Sequence, residues 1–489
     1  MIRRRNPLRS LFYALLLAAV AESVPIAAPQ REPGQTQALA SGTAQSATLV
    51  PARPAPYAII ISIDGLMPAS YTEPDAHGLK IPALRRLMVA GAWSPGVRGV
   101  MPSITYPAHT TMVTGVSPAR HGIVSNVVFD PEGMRDGEWH WYTAEIRVPT
   151  LWSLAHERGL RTALFGWPVT LGAHADFLTP EFWRGRGIDG AQLLRALSTP
   201  GLWDAVGRQF PGFDASFTSP PPKDEAFADI AVEVLERERP NLLLLHLSMV
   251  DHLQHEKGPW SAEAIEAIEA ADAQVARVME ASRRAGIWEK ALFLVVSDHG
   301  FARQEKVVRP SALLHATGLI ALDAQNRVVN WRAQAATFGG GAYIYLRDPN
   351  DAEAAARTRD LFTGQVAQPG SGIARVLSRE DIVTLGGDPQ AFLALEAADG
   401  FGFAGGVTGD PIAPAATPGI HGFPPDRPVM NSSLILVGPG IRPGRIDGAR
   451  MVDIAPTVAA WLGLNMKDAE GKPLVVFPPR QSSRPAAPR

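Results

Sequence analysis

The sequence contains no cysteine. Disulfides are therefore excluded, as are cysteine-ligated zinc, haem-attachment motifs and iron–sulfur clusters. A sulfatase whose nucleophile is made from cysteine is excluded on the same ground. An excess of one charge is also missing. The chain carries 46 Lys and Arg against 48 Asp and Glu, a formal net charge of -2. That balance gives no electrostatic reason to bind nucleic acid. The N-terminal apolar run, Leu11 to Ala21, falls short of the about 20 residues that cross a bilayer. No fixed-period repeat is present.

What the chain does have divides it clearly. Arg3, Arg4, Arg5 and Arg9 precede the apolar run, and Ala19-Val20-Ala21 offers a cleavage box. This layout predicts a signal peptide over residues 1–28 and export to the periplasm or medium. An uncleaved anchor is the alternative; its run would be short, so no stable membrane insertion is expected after processing. Residues 29–55 are rich in Pro, Gln, Ala, Ser, Thr and Gly and read as a flexible linker. Residues 478–489 read as a similar tail. Between them, residues 56–477 form the expected folded domain, and a hydrophobic content of 46% is ample for its core.

Strand and helix patterns alternate through that domain. Tyr57 to Asp64, Asn241 to Asp251, and Ala291 to Asp298 are apolar runs ending in an acid. Ser433 to Gly438 is a run of the same type without the acid, and Arg161 to Gly166 is another strand. Amphipathic stretches at Ile81–Ala90, Leu151–Arg158, Asp224–Arg237 and Ser261–Ala285 are the expected helices. Runs apolar on both faces suit strands covered by helices on both sides. The prediction is an α/β three-layer sandwich around a mostly parallel sheet. Ligands of such sheets bind beyond the carboxyl ends of the strands. The less regular region of about 303–420, with Gly339-Gly340-Gly341 before a strand at Ala342–Leu346, reads as a cap or insertion.

Several residues could carry chemistry. Asp251 and His255 are four apart and would share a helix face, half a shell for a metal ion or simply a solvated pair. Asp298-His299-Gly300 follows a buried strand, so both side chains can turn toward one ion, with Gly300 easing the turn. Asp64 closes the first strand and by itself could cap a helix. Thr105, two residues before Pro107, sits where a helix should begin. It would cap that helix, or present a hydroxyl where the dipole favours anions. His421 is a lone loop histidine.

Taken in order, these segments resemble a family. The set is Asp64-Gly, Thr105-Tyr-Pro-Ala-His109, His121-Gly-Ile-Val-Ser-Asn126, Asp251-x3-His255-x2-Gly-Pro, Asp298-His-Gly and His421-Gly. With Val452 to Gly463, it is similar to the nucleotide pyrophosphatase/phosphodiesterase members of the alkaline phosphatase superfamily, over Tyr57 to Gly463. The resemblance implies an alkaline phosphatase-like fold and a hydrolase holding two Zn2+ ions, other divalent metals being compatible with the same donors. One ion would take Asp251, His255 and His421. The other would take Asp64, Asp298 and His299, with Thr105 both ligand and nucleophile in a threonyl-phosphoryl mechanism. Asn126 would bond a phosphoryl oxygen, and His109 would stand beside the nucleophile.

The family commonly has asparagine where Ala108 stands and glycine where Gln254 stands, which marks a divergent member. Monoesterases of the superfamily carry a Lys-x-Arg pair with no counterpart here, so the expected substrates are small phosphodiesters or nucleotides. The alternatives are a phosphonoacetate hydrolase-like enzyme that cleaves carbon–phosphorus bonds, a phosphomonoesterase, and a zinc-binding protein without activity.

Overall fold

A computed structural model describes residues 56–474, apart from 136, 184–186 and 219–222. The expected leader, linker and tail lie outside the described residues. Strand β1 (Tyr57–Ile63) feeds two cores at once. Ile59, Ile61 and Ile63 join one apolar cluster, while Ala58 and Ile60 join another. Successive strand side chains point to opposite faces, so an unbroken apolar run means that both faces are covered. β5 (Leu242–Leu247) and β6 (Ala291–Val296) divide their side chains in the same way.

The covering layers are helical. Helices α1 (Pro82–Ala90), α4 (Asp224–Glu238) and α6 (Ala262–Arg284) send Leu84, Ile230 and Val275 into the first cluster. Helices α2 (Thr105–Thr114), α3 (Leu151–Glu157) and α7 (Ile454–Leu462) send Met112, Trp152 and Val458 into the second. The expected three-layer arrangement is present, with helix ends within a residue or two of those read from the pattern.

Among the described residues the sheet has eight strands. Besides the three above they are β2 (Ala92–Val97), β3 (Thr162–Phe165), β4 (Phe177–Thr179), β7 (Ser432–Val437) and β8 (Gly444–Arg445), in the order β8-β2-β7-β6-β1-β5-β3-β4. The five strands from β6 to β4 are mutually parallel. β7 runs against both of its neighbours. Its run is as apolar as the others because burial on two faces reports helical cover and not strand direction.

Residues 302–420 build a separate layer of structure. Four antiparallel strands follow the order Ala333–Thr337, Gly341–Leu346, Leu393–Ala397, Ile373–Leu377, and a smaller sheet surrounds Ala302–Val308. This region has its own apolar cluster, including Trp331, Ile344, Phe362 and Leu395. Its last strand, Gly419–Ile420, delivers His421 to the main sheet's carboxyl edge.

Candidate metal centre and active site

β5, β1 and β6 are adjacent and parallel, so their carboxyl ends meet at one place. Asp64 directly follows β1, and Asp298 follows β6 by one residue. Asp251 is placed differently from expectation: β5 stops at Leu247, and Asp251 lies in the first turn of helix α5 (Met249–Lys257). Asp224 fixes that helix start, its Oδ1 accepting the N–H of Ser248 at 2.7 Å and of Met249 at 3.1 Å. Gln254, noted above as a departure from the family's common pattern, is buried and donates Nε2–H to the Gly65 carbonyl at 2.9 Å. It ties α5 to the turn after Asp64.

The ligand-type side chains converge. Asp64 Oδ1 lies 3.3 Å from His299 Nε2, and Asp298 Oδ2 lies 3.1 Å from the same nitrogen. Asp251 Oδ1 lies 3.4 Å from His255 Nε2 and 3.5 Å from His421 Nε2. Three imidazoles are held alike. Nδ1 of His255 faces the Gly419 carbonyl at 3.0 Å, that of His421 the Ser103 carbonyl at 3.2 Å, and that of His299 the Gly300 carbonyl at 3.1 Å. A carbonyl only accepts, so Nδ1 carries the hydrogen and a neutral ring offers its Nε2 lone pair inward, the form in which histidine binds metals. Asp298 is split likewise: Oδ1 accepts the N–H groups of Gly65 and His299, each at 3.0 Å, and Oδ2 is left for the site.

Four of the converging atoms are buried without a hydrogen-bond partner: Asp64 Oδ1, Asp251 Oδ1, Asp298 Oδ2 and His299 Nε2. Such atoms are rare in folded proteins and cost about 1–3 kcal/mol each when left unmet. Charge gives the same message. Burial, then the Asp298 and Asp251 charges, push the Asp64 carboxyl well above its ordinary range. Burial opposes ionisation of Asp298 too, but a positive charge on His299, which the buried acids favour in the absence of a cation, outweighs it and holds Asp298 low. The cluster has more carboxylate than it can ionise alone. Divalent cations would satisfy both deficits, and oxygen and nitrogen donors are of the kind that zinc takes.

The donor-type side chains form two compact groups, Asp64 with Asp298 and His299, and Asp251 with His299 and His421. The rings of His299 and His421 stack at 3.6 Å and 9°, which brings His299 between the two positions. His255 reaches Asp251 from the more exposed side. Gly300 also serves another purpose than the one read from sequence. Its φ is not positive; a Cβ there would lie 1.9 Å from the Val429 carbonyl oxygen, so the residue provides room for a backbone crossing.

Thr105 is the first residue of α2, every residue of which is buried. Two side chains fix its backbone. Asn126 Oδ1 accepts the Tyr106 N–H at 2.9 Å, occupying one donor of the helix end. His109 Nδ1–H donates to the Thr105 carbonyl at 2.8 Å, and its Nε2 accepts from Ser62 Oγ at 2.8 Å. Burial lowers the His109 pKa to about 3, so the ring is neutral. His109→Phe removes both bonds. The expected cost is about 1–3 kcal/mol, seen as a lower urea midpoint; an unchanged midpoint would show that these bonds carry no stability.

Two site residues escaped the sequence reading. His246, within β5, places Nε2 3.1 Å from Asp64 Oδ2 and donates Nδ1–H to the Gly166 carbonyl at 3.0 Å. A histidine inside an otherwise all-leucine buried strand was the available signal. Glu181 comes from the loop after β4, and nothing in the local sequence marks it. Both line a cavity of about 340 Å³ that opens beside Asp64, Thr105 and Asp251, walled by Tyr106, Trp139, Phe182, Trp183 and Phe227.

Comparison with known proteins agrees with the motif order. The sequence profile of the type I phosphodiesterase / nucleotide pyrophosphatase family matches residues 58–383. The chain belongs to this family. Human ectonucleotide pyrophosphatase/phosphodiesterase family member 1 is 25% identical over 254 residues, which is 50% of this chain and 23% of that protein. A pyrophosphatase/phosphodiesterase of Schizosaccharomyces pombe is 28% identical over 255 residues, 50% of this chain and 44% of the relative. The chain thus spans less than half the length of these curated relatives. Among solved structures, an inactive variant of murine ectonucleotide pyrophosphatase/phosphodiesterase 5 in complex with AMP superposes with a TM-score of 0.61 at 18% identity. The match covers 85% of this chain and 97% of that one. This family member therefore has the family's fold as well as its sequence signature.

Proposed function

We propose that the protein is a two-metal phosphohydrolase that cleaves phosphodiester or nucleotide pyrophosphate bonds, with Thr105 as nucleophile. The observation that carries this reading is the convergence of unpartnered ligand atoms from Asp64, Asp251, Asp298 and His299 beside a cavity that Thr105 lines. His255 and His421 complete the ligand set. Two divalent ions bound there would supply the charge that ionises a hydroxyl and neutralises a leaving oxygen. The chain's own residues do the rest. Thr105 Oγ1 attacks phosphorus, the leaving alkoxide or phosphate departs, and water then cleaves the threonyl-phosphoryl bond. The backbone of Thr105 is held by His109 and that of Tyr106 by Asn126, so the nucleophile is oriented before substrate arrives. The Asn126 amide NH2 is the donor offered to a phosphoryl oxygen.

Diesters are favoured over monoesters by charge. No Lys or Arg is among the described residues lining the cavity, so nothing there matches a dianionic terminal phosphate. Residues 1–28 are read as an export signal, which agrees with relatives named as ecto-enzymes. No described helix is long and apolar enough to cross a membrane. Bis-p-nitrophenyl phosphate is expected to give a higher kcat/KM than p-nitrophenyl phosphate. The reverse order would identify a monoesterase, and preferential release of phosphate from phosphonoacetate would identify a carbon–phosphorus hydrolase.

A further inference from the structure

The Gly339-Gly340-Gly341 run lies against the segment that carries His421. The Gly340 N–H donates to the His421 carbonyl at 2.7 Å. A Cβ on Gly339 would lie 2.3 Å from that same carbonyl oxygen, and a Cβ on Gly340 would lie 2.3 Å from Cδ2 of Phe423. Carbon atoms in contact sit about 3.5–4.0 Å apart, so neither position has room for a side chain. Phe423 is itself fully buried, and a close-packed ring cannot swing aside to make room.

Charge fastens the other end of the segment. Glu396, buried on the strand Leu393–Ala397, pairs with two guanidinium groups, Arg375 Nε at 2.6 Å and Arg427 Nε at 3.3 Å. Arg375 reaches on to Asp426, its two terminal nitrogens each 3.0 Å from one carboxylate oxygen. Such a forked pair fixes direction as well as distance. Arg427 lies over the Phe423 ring at 4.4 Å. Phe423, Asp426 and Arg427 follow His421 closely in the chain, so the second sheet holds this segment on both sides of a short loop. Asp64 and Asp298 have other supports. Asp64 meets His246 Nε2 at 3.1 Å, and Asp298 accepts from the N–H groups of Gly65 and His299.

We propose that the second sheet, through Gly340 and Glu396, positions His421 for one of the two metal ions, the one that His421 would share with Asp251. The proposal rests on the two-metal reading and adds Gly339, Gly340, Glu396 and Arg427 as positioning residues that act through the His421 ring. The two ions are therefore held with separable affinities: disturbing the glycine cradle or the charge network loosens one and spares the ion at Asp64 and Asp298.

Graded withdrawal of zinc from the loaded protein by a chromogenic chelator tests it, with total zinc read by elemental analysis. The wild type is expected to start with about two ions per chain. Gly340→Ala, which acts by volume, and Glu396→Gln, which acts by charge, are each expected to weaken one ion about tenfold or more, the usual effect of losing a group that orients a ligand, and to leave the other unchanged. If Gly340→Ala does not fold, Glu396→Gln decides alone. Phe362→Leu is the control for general loosening. It lies in the apolar core of the same layer and makes none of the contacts above. It is expected to lower the urea midpoint and leave both zinc affinities unmoved. Folded cradle and network variants that hold both ions as the wild type does, or lose both equally, would overturn the proposal, as would loss of one ion in Phe362→Leu. A wild-type chain that takes up no zinc would instead overturn the two-metal reading.

Discussion

Thr105→Ala is expected to lower kcat for a good diester by on the order of 10³-fold or more, with metal content unchanged. The size follows from losing a covalent route outright, which costs far more than losing one hydrogen bond. The separation of the two effects follows from the contacts. The groups that hold this turn reach its backbone: His109 bonds the Thr105 carbonyl, and Asn126 bonds the Tyr106 N–H. Alanine keeps both. The other proposed ligands, three aspartates and three histidines, come from elsewhere in the chain. Elemental analysis of wild type and variant should give about two ions per chain in each, as a two-metal site requires. Acid quenching during turnover of a phosphorus-labelled diester should leave label on the wild-type chain and none on the variant. Unchanged turnover would move the nucleophile elsewhere.

Removing the metal is the second large perturbation. Chelation is expected to abolish hydrolysis, and readdition of zinc to restore it. It should also lower Tm, an effect independent of catalysis. An ion that binds only the folded chain contributes about 2.7 kcal/mol when its concentration is 100 times its Kd. Here the gain has an identifiable source. Without cations the site keeps four buried atoms unpartnered and a carboxyl, Asp64, whose ionisation is opposed by burial and by the Asp298 charge. Calorimetry with and without chelator reads this directly. A metal-free protein with unaltered Tm and activity would remove the basis for the site.

Much of this site was legible because chemistry interrupts strong patterns. Asp64 and Asp298 each follow a strand whose apolar run is unbroken, so an acid at its end stands out. Asp251 and His255 were legible through their spacing, although the acid proved to lie on the helix and not at the strand end. His421 had no such frame. Its partners come from distant segments, and only the order of motifs singled it out. Strand direction was illegible for a different reason: β7 is covered on both faces like its parallel neighbours, and hydrophobicity does not encode polarity of the chain. Glu181 was illegible because its surroundings are assembled from Tyr106, Trp139, Trp183 and His246, which adjoin only after folding. Of the second sheet only the strand at Ala342–Leu346 was legible; Ala333–Thr337, Ile373–Leu377 and Leu393–Ala397 are five residues each, too short for a period to stand out.

The route by which His421 reaches the centre has a consequence for biosynthesis. Asp64 and His421 stand near opposite ends of the described chain, and the entire second sheet lies between the Asp298-His299 pair and His421. A polypeptide emerging from its N-terminus can form β1, β5 and β6 and still lack the last imidazole. Copies cut short or misfolded within the second sheet would bind metal weakly and do no chemistry. On the proposed assignment, acquisition of metal would double as proof-reading, because the ligand set is complete only in molecules whose synthesis and folding have passed residue 421.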